Sequence, residues 1–200
     1  MSLASDREEL KRLLAARSVR RGEFRLASGL TSNVYVDAKL TTLHGRAMPL
    51  IGRLILETIR QHDWNPKAVG GLVLGADPIV TAVARESVQA GASMDAFLVR
   101  KQPKKHGLEK FIEGIDDAAG LPVVIVDDVC TTGGSTIEAL DKSRSAGMLV
   151  LGAICLVDRE EGAEENLAKA GCAFDRVFRL AELLEATESG ELVGAQASRT

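Results

Sequence analysis

At 200 residues the chain suits one domain with an ample core, and 46% hydrophobic against 26% charged residues is the balance of an ordinary globular protein. Its 25 basic and 28 acidic residues leave a net charge of -3, which disfavours wholesale nucleic-acid binding. No apolar run approaches the roughly 20 residues of a membrane span, so no membrane partner is expected.

The start, MSLASDREELKRLL, is charged and helix-like where a leader peptide would be apolar, and a cytoplasmic location is expected. Ser5 with Glu8 reads as a capping box for a first helix carrying Leu10, Leu13 and Leu14 on one stripe, expected to pack as a lid or hood. EFRLASGLTSNVYVDAK is punctuated by Ser28-Gly29 and Ser32-Asn33 and reads as a hairpin or irregular sheet, and a long helix is expected over about 45–61. The period then becomes regular. AVGGLVLG is strand-like, PIVTAVARESVQAG helical with Pro78 near its start, and MDAFLVR a strand. After an interruption over about 101–120, LPVVIVDD reads as a strand, GSTIEALDKSRSAG as a helix and LVLGAICLVD as a strand. More weakly, EGAEENLAKAG is helical, CAFDRVFRL extended and AELLEA helical, with about 189–200 expected to be loosely ordered. Aliphatic runs alternating with helices indicate an α/β, doubly wound parallel sheet forming a single domain, to which about 1–45 add a small N-terminal hood. Cys130, Cys155 and Cys172 lack CxxC spacing and read as small buried thiols.

Ligands of open parallel sheets gather at the carboxyl ends of strands, and three such ends carry chemistry. In VVIVDDVCTTGGST, Asp127 and Asp128 are followed by Val129, Cys130, Thr131, Thr132, Gly133, Gly134 and Ser135 and then a helix. Glycines that turn successive N-H groups toward one point, hydroxyl donors and a helix N-terminus together make a phosphate site. A capped strand-to-helix turn explains the Gly and Thr residues equally well, but not two carboxylates closing an apolar strand. Neither GxxxxGK[ST] nor GxGxxG occurs here, which removes most of the weight from ATP or NAD. RKQPKKHGLEKFIEG concentrates Arg100, Lys101, Lys104, Lys105, His106 and Lys110. Such a run is usually a solvated loop, but directly after a sheet strand it suits a cover for a polyanion. In LVDREEG, Arg159 offers a planar fork for a carboxylate or a planar heterocycle, with a surface ion pair to Glu160 or Glu161 as the bland alternative.

VVIVDDVCTTGGST resembles the phosphoribosyl-pyrophosphate (PRPP) motif of the type I phosphoribosyltransferases. FRLASGLTSNVYVD, GGLVLGADPI, RKQPKKHGLEKFIEG and LVDREEG, in that order, are similar to the orotate phosphoribosyltransferases, so the resemblance spans about 24–162. It implies transfer of ribose 5-phosphate from PRPP to orotate with Mg2+, giving orotidine 5'-monophosphate and pyrophosphate in pyrimidine synthesis. It puts Asp127 and Asp128 at the ribose and 129–135 at the 5'-phosphate. Arg100, Lys101, Lys104 and His106 fall at the pyrophosphate. Thr131 and Arg159, with the segment around Tyr35 and Val36, fall at orotate. On this resemblance Lys101, Lys104, His106 and Asp128 carry catalysis, and Mg2+ is held mainly through substrate oxygens with Asp127 and Asp128 as further candidates. The implied assembly is a homodimer in which the Arg100 to Glu113 loop is shared across subunits.

Two departures stand out. Ala27 and Gly75 occupy positions where some family members carry cations, which leaves more of the pyrophosphate charge to the basic loop and to Lys39. Transfer to another base, and a PRPP-sensing nucleic-acid-binding regulator, are the rival readings.

Overall fold

The computed structural model describes residues 2–25, 31–103 and 110–188. Helix α1 (Leu3–Ser18) leads into strands β1 (Val19–Arg25) and β2 (Thr31–Val36), then a short α2 (Lys39–Thr42) and α3 (Ala47–Gln61). Next come β3 (Ala68–Leu72), α4 (Asp77–Gln89), β4 (Asp95–Val99) and the short β5 (Ile112–Glu113). Then follow β6 (Pro122–Cys130), α5 (Gly134–Ser145), β7 (Leu149–Asp158), α6 (Ala163–Lys169), β8 (Phe174–Arg179) and α7 (Leu180–Glu188).

Six strands form one sheet in the order β5-β4-β3-β6-β7-β8, parallel except for β5, which runs antiparallel to β4 at the edge. Strand β3 lies between β4, which follows it in the chain, and β6. The chain therefore winds one way from β3 and then the other, and the crevice between β3 and β6 is the switch point at which such sheets bind ligands. Side-chain alternation along β6 sends Val123 and Ile125 toward Ala139 and Leu140 of α5. Val124 and Val126 instead enter the larger cluster with Ile51 and Ile55 of α3 and Ile79 and Val83 of α4. The glycines of β3 are packing residues. The Phe97 ring fills the place where Gly70 would carry a Cβ, and the β6 backbone at Val126 does the same at Gly71.

Several expectations need correcting. Helix α1 starts at Leu3, and its cap is Ser2, whose hydroxyl accepts from the Ser5 amide at 3.2 Å; Ser5 lies inside the helix, and Glu8 pairs instead with Lys11. Leu10 and Leu14 join Ile51, Ile55, Val177 and Phe178 in the main core, so α1 is part of the body and not a lid over it. The hairpin is present as the antiparallel β1-β2 ribbon, separate from the main sheet. Strand β6 runs beyond the acid pair to Cys130, because pairing with β7 continues through Val129↔Val157 and Cys130↔Asp158. The basic interruption contains β5, unforeseen in so short a segment, and the expected loose tail at 189–200 lies outside the described residues. All three cysteines are free and buried, as expected. No described helix is long and apolar enough to cross a membrane.

Candidate active site

Strand alternation divides the acid pair between the two faces of the sheet. Asp127 follows Val123 and Ile125 onto the α5 face. It is 5% exposed, its Oδ2 accepts the Thr136 hydroxyl at 2.8 Å, and its Oδ1 accepts the Asp128 amide at 3.0 Å. Burial, reinforced by the adjacent Asp128 carboxylate, pushes Asp127 up to about 7 against the pull of Thr136. Asp128 follows Val124 and Val126 to the other face. Its Oδ1 accepts the Val129 amide at 2.9 Å, and its Oδ2 stands 3.8 Å from the Lys39 ammonium. Partial burial, the largest influence on Lys39, pulls that ammonium down, but Asp128 and Asp37 together hold it above its ordinary value.

The same face brings Gly75 against Asp128. A Cβ at residue 75 would lie 2.5 Å from Asp128 Oδ1, so this glycine makes room for the carboxylate as well as lacking a cation. The β3-α4 turn, which includes a cis peptide between Val73 and Leu74, thus meets the end of β6 across the switch point.

Val129 and Cys130 are strand residues, and the turn itself is Thr131–Gly133, with Gly133 at φ +80° immediately before α5. That left-handed conformation is open to glycine at little cost. Thr131 is half-buried, Thr132, Gly134 and Ser135 are exposed, and Cys130 is buried with its sulfur 3.1 Å from Thr136 Oγ1. The Asn166 side chain steadies the turn by donating to the Thr132 carbonyl at 2.9 Å.

At the end of β7, Asp158 is 2% exposed; it accepts the Glu160 amide at 2.8 Å and lies 3.3 Å from Arg176 Nε, which fixes the following turn. The Arg159 amide donates to the Cys130 carbonyl at 2.9 Å, tying this turn to the phosphate turn. The Arg159 side chain is only 7% exposed, and its guanidinium donates to Val34 O and Ser32 Oγ of β2 as well as to Glu161 at 2.8 Å. The expected ion pair with Glu161 is therefore present, while Glu160 pairs with Arg179. Tyr35 of β2 is 43% exposed, its ring 5.5 Å from that of Phe24.

Of the basic segment, Arg100 pairs with Glu113 at 3.2 Å and Lys101 is exposed. Lys104, His106 and Ala27 lie outside the described residues. The structure thus gathers Asp127, Asp128, Thr131 to Ser135 and Arg159 around the ends of β6 and β7, with Gly75 and Lys39 closing on Asp128. Thr136 and the packing role of Gly75 escaped sequence reasoning. A buried Thr one turn into a helix and a glycine in a loop carry no signal until two elements meet.

Residues 42–177 match the family model described as the phosphoribosyl transferase domain. An orotate phosphoribosyltransferase of Aquifex aeolicus is 41% identical over 185 residues, covering 91% of this chain and 100% of its own. One from Mycobacterium avium is 44% identical over 176 residues, 88% of this chain and 95% of its own. The crystal structure of Mycobacterium tuberculosis orotate phosphoribosyltransferase in complex with PRPP superposes with a TM-score of 0.75 at 40% identity, covering 89% of this chain and 98% of that one. The chain therefore belongs to the phosphoribosyltransferase family and, within it, to the orotate phosphoribosyltransferases.

Proposed function

We infer that the chain transfers ribose 5-phosphate from PRPP to a ring nitrogen of orotate, forming orotidine 5'-monophosphate and pyrophosphate in pyrimidine synthesis. The observation that carries this is the link between the ends of β6 and β7. The Arg159 amide bound to Cys130 O ties the residue whose planar fork suits a carboxylate to a Thr/Gly turn preceded by two acids. A base without a carboxylate would leave that guanidinium to its partners Glu161, Ser32 and Val34.

In this reading the Thr131 to Ser135 turn and the start of α5 hold the 5'-phosphate, with Val129 and Cys130 leading into them. Asp128, whose Oδ2 lies 3.8 Å from the Lys39 ammonium, takes the ribose hydroxyls. Asp127, with both oxygens engaged, holds the strand end in shape behind it. Breaking the bond to pyrophosphate builds positive charge on the sugar, which the Asp128 carboxylate favours, and negative charge on the leaving group. Arg100 and Lys101 meet that negative charge, together with Lys104 and His106 beyond the described residues. Thr131, Arg159 and the Tyr35 segment receive orotate.

Mg2+ belongs to this reading as an ion held mainly through substrate oxygens. Among the described residues no group of three or more His, Cys, Asp and Glu side chains gathers to cage a metal, and only Asp128 of the pair has an oxygen to spare. That donor set fits an ion that keeps water and phosphate ligands. Bound there, Mg2+ supplies positive charge to the departing pyrophosphate. A cytoplasmic homodimer completes the proposal, by likeness to the family.

Loss of orotate absorbance with PRPP and Mg2+, run beside uracil, hypoxanthine and adenine, tests it. Turnover of orotate alone is expected. Turnover of another base in preference to orotate would overturn the assignment.

A further inference from the structure

Lys142 lies on α5 eight residues beyond its first residue, about 12 Å along the helix from the phosphate turn. A lysine on a surface helix normally sends its ammonium to water. This one is 18% exposed and spends all three of its N-H donors inside the protein: on the Arg100 carbonyl at 2.9 Å, the Lys101 carbonyl at 2.9 Å and Glu138 at 2.5 Å. The ammonium also stands 4.6 Å from the centre of the Phe111 ring. Phe111 belongs to the other side of the same junction, because its carbonyl accepts the Arg100 amide at 2.8 Å. The Arg100 guanidinium crosses the junction too, pairing with Glu113 of β5 at 3.2 Å. Lys142 therefore grips the point where the basic segment leaves β4 and the point where it returns, from the helix that begins at the phosphate turn.

We propose that Lys142 is a positioning residue, which holds the Arg100 and Lys101 carbonyls and thereby fixes where the Lys101 side chain stands relative to the phosphate turn at the start of α5. Its catalytic consequence rests on the reading of Lys101 as a pyrophosphate contact. Its structural consequence does not. A cation on α5 suits this task because two carbonyls converging on one point leave two partial negative charges to be answered, and an ammonium answers both with separate donors. Glu138, one turn back on the helix, keeps the ammonium from swinging away.

The test combines proteolysis with kinetics on K142M, which keeps an unbranched apolar stem but loses the charge and the donors. The carbonyls that Lys142 holds are those that trypsin attacks when it cuts after Arg100 and after Lys101. Those two cuts, told by mass from cuts after Lys104 and Lys105, are expected to be about fivefold faster or more in K142M, since local opening governs such cleavage. The melting temperature should stay within about 3 °C of wild type. In turnover, kcat is expected to fall about tenfold or more, as a displaced contact does, while the KM for orotate stays within about twofold and K142R recovers most of kcat. Cleavage at the wild-type rate would overturn the clamp, and wild-type kcat in K142M, or a rise in orotate KM matching the fall in kcat, would overturn the positioning role. Should K142M not fold, K142Q takes its place with the same split expected. A wild-type protein that consumes no orotate would defeat the proposed function, with the cleavage rates still judging the clamp.

Discussion

Substituting Gly75 by alanine displaces the Asp128 carboxylate while leaving residue 128 itself an aspartate. The added Cβ would sit 2.5 Å from Asp128 Oδ1 and 2.8 Å from its Cγ. Ordinary contact begins at 3.4 Å, so the carboxylate must retreat by about 0.9 Å, and a misplacement of that order costs about 10- to 100-fold in rate. That is about 1.4–2.7 kcal/mol of transition-state stabilisation. Folding should barely register the change. Gly75 has no positive φ, so alanine fits the backbone and removes freedom from the unfolded chain, a gain of about 0.4–1 kcal/mol. Straining the bond from the Val129 amide to Asp128 costs about as much in return. The assay is orotate consumption at saturating and limiting PRPP, beside a urea unfolding curve. A kcat/KM for PRPP lower by about 10- to 100-fold with an unchanged unfolding midpoint is expected. Turnover within about twofold of wild type would refute the reasoning, since Asp128 would then be free to move without consequence.

Further outcomes follow from other contacts. Asp127, raised to about 7 by burial and by Asp128, binds its proton more tightly folded than unfolded, so its contribution to stability is full below about pH 4 and is lost as pH rises through about 7. Urea midpoints of the ligand-free protein should therefore fall from pH 5 to pH 8 more steeply in wild type than in D127N, and identical slopes would count against a buried, protonated Asp127. R159K keeps the charge but loses the fork, so the KM for orotate should rise about 10- to 100-fold while PRPP affinity measured by calorimetry stays unchanged; an unchanged orotate KM would remove Arg159 from the base site. G71A would press its methyl into the β6 backbone at Val126 and should cost about 1–3 kcal/mol in urea unfolding, and a cost below about 0.5 kcal/mol would mean that β3 and β6 can part freely.

The strands of the main sheet were legible because LVLGAICLVD and PVVIVDD are aliphatic runs that only a doubly covered sheet buries, and the helices because their apolar stripes and glycine ends are local. The acid pair and the Thr/Gly turn were legible because chemistry and turn geometry share one continuous segment. Register and order were not. That β6 continues to Cys130 depends on pairing with β7, and that Asp127 and Asp128 part to opposite faces becomes meaningful only once α5 and the Gly75 turn are in place. Ser5 with Glu8 fits the capping pattern in sequence, yet the helix begins one turn earlier, where the Ser2 hydroxyl accepts the Ser5 amide. Lys142 reads as a solvated helix lysine until the Arg100 junction is folded against it.

Phosphorus NMR of PRPP with Mg2+, with and without orotate, tests the central claim most directly. With catalytic protein and orotate present, the PRPP signals should give way to equal amounts of pyrophosphate and a nucleotide monophosphate, and without orotate they should persist. PRPP left intact in the complete mixture, or broken down at the same rate without orotate, would contradict the account.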